Sequence, residues 1–355
     1  MLPRPARAPD FWWRPHSMAG LALAPLGAVY GRVAARRMRK AGVGCQVPVI
    51  CIGNLVLGGA GKTPTALAVA AMCRSLGLRP GFLTRGYRGR ESGPVVVSLT
   101  RHTALDVGDE ALLLAQHGPT VVAVDRPSGA KLLAGLGADV VVMDDGFQNP
   151  SLVKDLSLIV VDALRGIGNG LTFPAGPLRA PLPDQIRFAD GLIIIGDGSG
   201  GKWVRVAARA GLPVLRARME PVRRRGLKRR PYLAFAGIAD PSKFYRALGE
   251  AGATVGFTMD FPDHHLFSAA DCEAILVQAK ARDLVPITTE KDRVRLNGAG
   301  DAAERLAAAT ETFPVTVRFD EPRRLLALIH DAAGAHASAY RRADLKPGGG
   351  AAILA

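Results

Sequence analysis

Five short stretches of this chain are almost continuously apolar: VPVICIG at 47–53, GPVVVSL at 93–99, TVVAV at 120–124, ADVVVMD at 138–144 and LSLIVVD at 156–162. Successive residues of a strand face opposite sides, so a strand with one wet face alternates polar and apolar side chains. A strand apolar on both faces has to be covered on both. Such runs predict parallel strands inside a sheet, with helices packed above and below. The intervening TPTALAVAAMCRSLG and GDEALLLAQHG carry apolar residues at helical spacing, and LIII at 192–195 with a following helix completes the unit. The pattern reads as an α/β fold with a doubly wound parallel sheet. A second alternation, YLAFAG at 232–237, ATVGFTM at 253–259, LVPIT at 284–288 and VTVRF at 315–319, predicts a smaller Rossmann-like α/β domain after it.

The first apolar run leads into Gly58, Gly59, Ala60, Gly61, Lys62, Thr63 and Pro64, directly before a helical pattern. Glycines at a strand-to-helix turn let the backbone approach phosphates, the helix N-terminus offers unpaired N–H groups, and a lysine there reaches β- and γ-phosphates. Thr63 can give an oxygen to Mg²⁺, and Pro64 suits a first helical turn because its missing N–H is not needed. The usual first glycine of such a loop falls at Val56, so this is a variant P-loop. The run at 138–144 ends in Asp144 and Asp145, adjacent carboxylates able to bind Mg²⁺ directly or through water; two solvated turn residues are the plainer alternative. A hydride-transferring dinucleotide enzyme would leave Lys62 and Thr63 without a task.

A formal net charge of +15 favours an anionic partner. Between Arg14 and Arg32 lie 17 residues without a charge, too short and too rich in proline for a confident membrane span. Phe11, Trp12 and Trp13 precede this stretch and Arg32, Arg36, Arg37, Arg39 and Lys40 follow it, a combination suited to lying on an anionic membrane surface. A helix packed on the protein's own core is the other reading. Cys45, Cys51, Cys73 and Cys272 have neither C-x-x-C spacing nor the density of a disulfide scaffold and read as reduced, mostly buried thiols. The expected organisation is a membrane-associating region at 1–46, a nucleotide-binding and catalytic domain at 47–215, a basic connector at 216–230, a second α/β domain at 231–332 and a flexible tail at 333–355.

With GNLVLGGAGKTP, TRGYRG, VGDEALLL, VVMDDGFQN, VVDALRGIGNG, FPAGPLRAP, FAGIADPSKFYRALGEAG, FPDHHLFS and TTEKD in this order, the chain resembles the tetraacyldisaccharide 4′-kinases, the lipid A 4′-kinase family. The resemblance implies ATP as phosphoryl donor, Mg²⁺, a tetraacylated glucosamine disaccharide 1-phosphate as acceptor, and the cytoplasmic face of a bacterial inner membrane as location, peripheral or monotopic. It implies phosphate stabilisation by Lys62, nucleotide binding by Gly58 to Thr63, and metal binding by Thr63, Asp144 and Asp145. It also implies an acid–base pair of Asp109 and His264, with Asp109 receiving or orienting the acceptor hydroxyl proton and His264 tuning it. Arg85, Gln148, Asn169 and Arg179 match residues around the acceptor pocket.

Without the resemblance, Asp109 reads more readily as a helix cap and His264 has no assigned task. Two positions depart from the family pattern: Asn149 stands where His is common and Ala180 where an acidic residue is common, which bears on pocket geometry. A P-loop ATPase or GTPase driving a partner or metal delivery is the alternative enzyme, although no N-K-x-D signature or His/Cys cluster supports it. No recognisable nucleic-acid module accompanies the charge, so neither nucleic acid nor an obligate protein partner is expected.

Overall fold

Val49, Ile50, Cys51 and Ile52 are each no more than 1% exposed, and they divide alternately between two cores. Val49 and Cys51 pack with Met143, Ile159 and Leu192; Ile50 and Ile52 pack with Val69, Val142 and Val160. The unbroken apolar run thus belongs to a strand covered on both faces. The structure is a computed structural model of the 355-residue chain and describes residues 8–59, 61–196, 198, 200–222, 227 and 230–344, without the side chains of 341–344.

In chain order the strands are β1 (Val49–Asn54), β2 (Pro80–Thr84), β3 (Val95–Val96), β4 (Thr120–Val122), β5 (Val140–Asp144), β6 (Leu156–Asp162), β7 (Gly191–Ile195), β8 (Val214–Pro221), β9 (Pro231–Ala236), β10 (Thr254–Asp260), β11 (Val285–Thr289), β12 (Glu311–Phe313) and β13 (Val315–Phe319). Among the described residues nine form one sheet in the order β13-β8-β7-β6-β1-β5-β2-β4-β3, and four form another in the order β10-β9-β11-β12. The smaller sheet is parallel throughout. In the larger one only the outer pairs β13/β8 and β4/β3 are antiparallel.

Several segments differ from the sequence expectation. Pro80–Thr84, which no apolar run announced, is an interior strand. A Cβ on Gly81 would meet Leu133 at 2.8 Å, so the glycine admits the helix Arg126–Gly135 close to the sheet. The run at 93–99 supplies only the two residues of β3, at the edge: Pro94 has no N–H for a ladder, and Val97 packs with Ala104 and Val107 instead.

VTVRF at 315–319 joins the larger sheet, where Val317 and Phe319 share a core with Ile193 and Leu215. The short β12 takes the edge of the smaller sheet. The expected connector at 216–230 begins as part of β8, whose Leu215 and Ala217 are buried; Arg223, Arg224, Arg225, Gly226, Lys228 and Arg229 lie outside the described residues. Much of the supposed tail is helix. Pro322–Asp344 seals the larger domain with Leu325 and Ile329, and His336 Nδ1 lies 2.8 Å from Asp155 Oδ1; residues 345–355 lie outside the described residues.

The uncharged N-terminal stretch forms a helix, Met18–Met38, long and apolar enough by length and composition to cross a membrane. Its small residues Gly20, Gly27 and Gly31 face the protein while Leu21, Leu26, Val29 and Val33 are exposed, the reverse of a soluble core helix. Gly27 and Gly31 sit against Thr172, Ala175 and Pro181, and Trp12 donates its indole N–H to the carbonyl of Pro174 at 3.0 Å.

Candidate active site

β1, β2, β5 and β6 end at one edge of the larger sheet, and the residues that follow them gather there, as expected where ligands bind open α/β sheets. Beyond β1, Val56 pairs with Leu178 and the N–H of Leu57 donates to the carbonyl of Pro177 at 2.8 Å. An extended, paired residue thus stands where the usual loop has its first glycine. Gly58 (φ 109°) and Gly61 (φ 83°) then turn the backbone through conformations open to glycine, and Gly61 caps the helix Lys62–Ser75. Ala60 lies outside the described residues. Lys62 and Thr63 are buried in the first turn, with Lys62 Nζ 3.6 Å from Asp145 Oδ2.

The two aspartates after β5 have unlike surroundings. Asp145, in a left-handed conformation (φ 56°), accepts a bidentate pair from Arg179 at 2.8 and 3.0 Å. Burial opposes its charge, but Lys62 and Arg179 outweigh that and hold it well below the usual carboxylate range. Both oxygens of Asp144 are buried without a hydrogen-bond partner. Burial, then the Glu110 carboxylate, pushes its pKa up to about 7 against the pull of Lys62. Such an orphaned carboxylate beside Thr63 and a phosphate loop is a fitting seat for a cation. Among the described residues no three His, Cys, Asp or Glu side chains gather as a metal cage.

Asp109 opens the helix Asp109–Ala115, is 4% exposed, and meets residues of the second domain. Its Oδ2 lies 3.0 Å from His264 Nδ1 and accepts from Arg295 Nε at 2.8 Å and from Arg295 Nη2; its Oδ1 accepts the N–H of Glu110 at 2.9 Å. Burial raises its pKa, but the His264 hydrogen bond and the charges of Arg295 and Lys291 overcome this and hold it ionised far into acid. His264 itself has φ 57°, rare for a non-glycine residue. From the larger domain, Arg88 Nη1 donates to the carbonyls of Asp263 and His264, and the Tyr87 ring meets the His264 ring edge-on at 5.4 Å.

Of the four residues expected at the acceptor pocket, two are brought together: Arg179 Nη1 donates to Gln148 Oε1 at 3.4 Å. Arg85, just past β2, is exposed and makes no hydrogen bond or ion pair among the described residues. Arg179 is engaged with Asp145 and the carbonyl of Val56. Gln148 donates to Asn54 O at 2.7 Å and Gln185 Oε1 at 2.9 Å, behind the loop. Asn169 accepts from Leu171 N, donates its amide to Ala175 O and Phe11 O, and donates its backbone N–H to Trp12 O at 2.7 Å, so it ties this turn to the N-terminal segment. Asn149 Oδ1 closes a turn with the N–H of Ser151, and the fully buried Ala180 gives its carbonyl to Gln185. Sequence reasoning missed Lys291, which reaches Glu110 at 2.8 Å, and Arg295. Their spacing of four on one helix, Glu290–Leu296, was the available signal.

The family model for Tetraacyldisaccharide-1-P 4'-kinase matches residues 19–333. Similar curated relatives include the tetraacyldisaccharide 4'-kinase of Methylobacterium sp. (strain 4-46), 55% identical over 297 residues, which cover 82% of this chain and 90% of the relative. That of Methylobacterium radiotolerans is 53% identical over 332 residues, 93% of this chain and 99% of the relative. Among solved structures, the crystal structure of the "apo" form of LpxK from Aquifex aeolicus in complex with ATP aligns with a TM-score of 0.69 at 26% identity, over 89% of this chain and 100% of that one.

Proposed function

The chain belongs to the tetraacyldisaccharide-1-P 4′-kinase family and is an ATP-dependent kinase of lipid A biosynthesis, and from that premise we propose how its residues carry the reaction. The N–H groups of the loop from Gly58 to Gly61 and the start of the helix Lys62–Ser75 take the ATP phosphates, and Lys62 neutralises charge on them. Thr63 and Asp144 would hold Mg²⁺, with Asp145 fixed beside them by Arg179. The cation, when bound, supplies charge neutralisation at the phosphates.

Asp109 receives the proton of the acceptor 4′-hydroxyl. The hydroxyl oxygen forms its bond to the γ-phosphorus while the bond from phosphorus to the ADP oxygen breaks, and the O–H proton passes to the carboxylate. A strongly stabilised carboxylate is a weak base. In a loose transition state the hydroxyl becomes acidic only as its bond to phosphorus forms, so a weak base in the right place is adequate. His264 orients that carboxylate from the second domain. Arg85 is available for the acceptor's phosphate, Arg179 acts through the Asp145 it holds, and Gln148 and Asn169 support the loops beside them.

The helix Met18–Met38 rests on the cytoplasmic face of a bacterial inner membrane, its exposed Leu21, Leu26, Val29 and Val33 among acyl chains and its arginines toward anionic headgroups. A tetraacylated acceptor spends little time free in water, so this contact brings enzyme and substrate to one surface. The observation that carries the assignment of the chemistry is the 3.0 Å approach of Asp109 and His264 from two different domains. The test incubates purified protein with γ-labelled ATP, Mg²⁺ and micellar tetraacylated disaccharide 1-phosphate. Label at the sugar 4′-position is the expected result; ATP hydrolysis without labelled lipid would overturn it.

A further inference from the structure

The TTEKD segment takes no part in the phosphate loop or the acid–base pair, yet it anchors the side chain that grips Asp109. Thr289 caps the helix Glu290–Leu296: its Oγ1 accepts the N–H of Asp292 at 3.1 Å and donates to Asp292 Oδ2 at 2.6 Å. The fully buried Asp292 also accepts the N–H of Gly237 at 3.0 Å and Arg295 Nη1 at 2.6 Å, and that same Nη1 donates to the carbonyl of Gly237 at 2.8 Å. With one arm so held inside the second domain, the planar guanidinium has a single orientation. Its other donors, Nε and Nη2, both meet Asp109 Oδ2 in the first domain.

The consequence is an asymmetry at Asp109. Three donors, two from Arg295 and one from His264, converge on Oδ2, whereas among the described residues Oδ1 receives only the backbone N–H of Glu110. The other charged groups close by are accounted for: Lys291 is engaged with Glu110, and Asp292 with Arg295 itself. Oδ1 is thereby left with accepting capacity in a fixed place.

We infer that Arg295 is a positioning residue for phosphoryl transfer: from the second domain it locks the Asp109 carboxylate by Oδ2, so that Oδ1 stands ready for the acceptor hydroxyl. The inference rests on the reading of Asp109 as the group that takes the hydroxyl proton. It makes the productive rotamer of Asp109 depend on docking of the second domain, through a chain running from Thr289 to Asp292 to Arg295 to Asp109. A residue that merely tied the domains together would show its loss in melting temperature and in KM for ATP, with kcat little changed.

The experiment compares the full-length protein with Arg295→Lys, Asp109→Asn and the double variant, measuring kcat, KM for ATP and melting temperature. Lysine keeps a charge but cannot span Asp109, Asp292 and Gly237 in one plane. Arg295→Lys is expected to lower kcat by about tenfold or more with KM for ATP within about twofold, and to cost less than about twofold further in the Asp109→Asn background. An equal loss in both backgrounds, or an unchanged kcat for Arg295→Lys, overturns the inference while Asp109→Asn stays slow. Near-normal turnover of Asp109→Asn overturns the underlying acid–base reading and the inference with it. If Arg295→Lys does not fold, Asp292→Asn loosens the anchor of Arg295 and keeps every direct partner of Asp109. It is expected to show the same loss of kcat, again non-additive with Asp109→Asn, and an unchanged kcat overturns the inference.

Discussion

His264 Nδ1 lies 3.0 Å from Asp109 Oδ2 although 155 residues separate the two and each belongs to a different domain. Neither domain holds the pair alone, so the contact exists only when the two are docked. Around it the interface carries ion pairs, Lys243 with Asp162 at 2.6 Å, Arg165 with Asp240 at 2.7 Å and Lys291 with Glu110 at 2.8 Å, beside an apolar contact in which the buried Val294 of the second domain packs with Ala104, Val107, Ala111 and Leu112 of the first.

The isolation of Asp144 gives a pH signature in the metal-free protein. Its pKa is raised to about 7, by burial first and Glu110 second, against about 3.9 in an unfolded chain. The folded state therefore holds the extra proton. The associated stability is full below the unfolded value and is lost as pH rises through about 7. Asp144→Asn removes this decline. With chelator present, the melting temperature of the variant relative to the parent should climb by roughly 3–8 °C between pH 5 and pH 8. Thermal melts across that range check it, and parallel curves would show that Asp144 is not buried uncompensated.

Replacing Leu26, Val29 and Val33 together by Gln should weaken binding to anionic vesicles by about tenfold or more, since each is exposed on the outer face of the N-terminal helix. ATP affinity should be unaffected, because none of the three touches the phosphate loop. Co-sedimentation and nucleotide titration on the same preparation separate the effects. Undiminished vesicle binding would remove this face as the membrane contact.

The inner face of that helix is as demanding as the outer. A Cβ on Gly27 would stand 2.8 Å from the carbonyl oxygen of Thr172, whose hydroxyl donates to the carbonyl of Gly27 at 2.5 Å. Gly27→Leu should therefore cost about 1–3 kcal/mol and displace the turn leading to Arg179. Thr172→Val, losing only the hydrogen bond, should cost about 1 kcal/mol. Denaturant unfolding in detergent measures both; a neutral Gly27→Leu would contradict the close packing.

Much of the larger domain was legible because its strands are buried on both faces. The run around Val49–Ile52 and the Lys62-Thr63 turn declare a phosphate-loop sheet through local chemistry alone. β2 was hidden by its Pro80-Gly81 start, since what qualifies it as an interior strand is the approach of Leu133, a contact remote in sequence. Val315–Phe319 reads as a strand from its alternation, but nothing local distinguishes the sheet it joins. The spacing of Gly20, Gly27, Gly31 and Ala35 on one helical face was open to reading as a close-packing surface. Asp109 and His264 were found through family resemblance. Arg295 escaped because its partner Asp109 lies 186 residues away.

The account stands on Asp109 and His264 acting as one unit, and a double-mutant cycle on phosphoryl transfer tests that most directly. Asp109→Asn should lower kcat by roughly 10²–10⁴-fold with ATP binding retained. His264→Ala should lower it in the same manner, and the double variant should lose little beyond the worse single variant. Near-normal turnover for Asp109→Asn, or losses that multiply in full in the double variant, would contradict it.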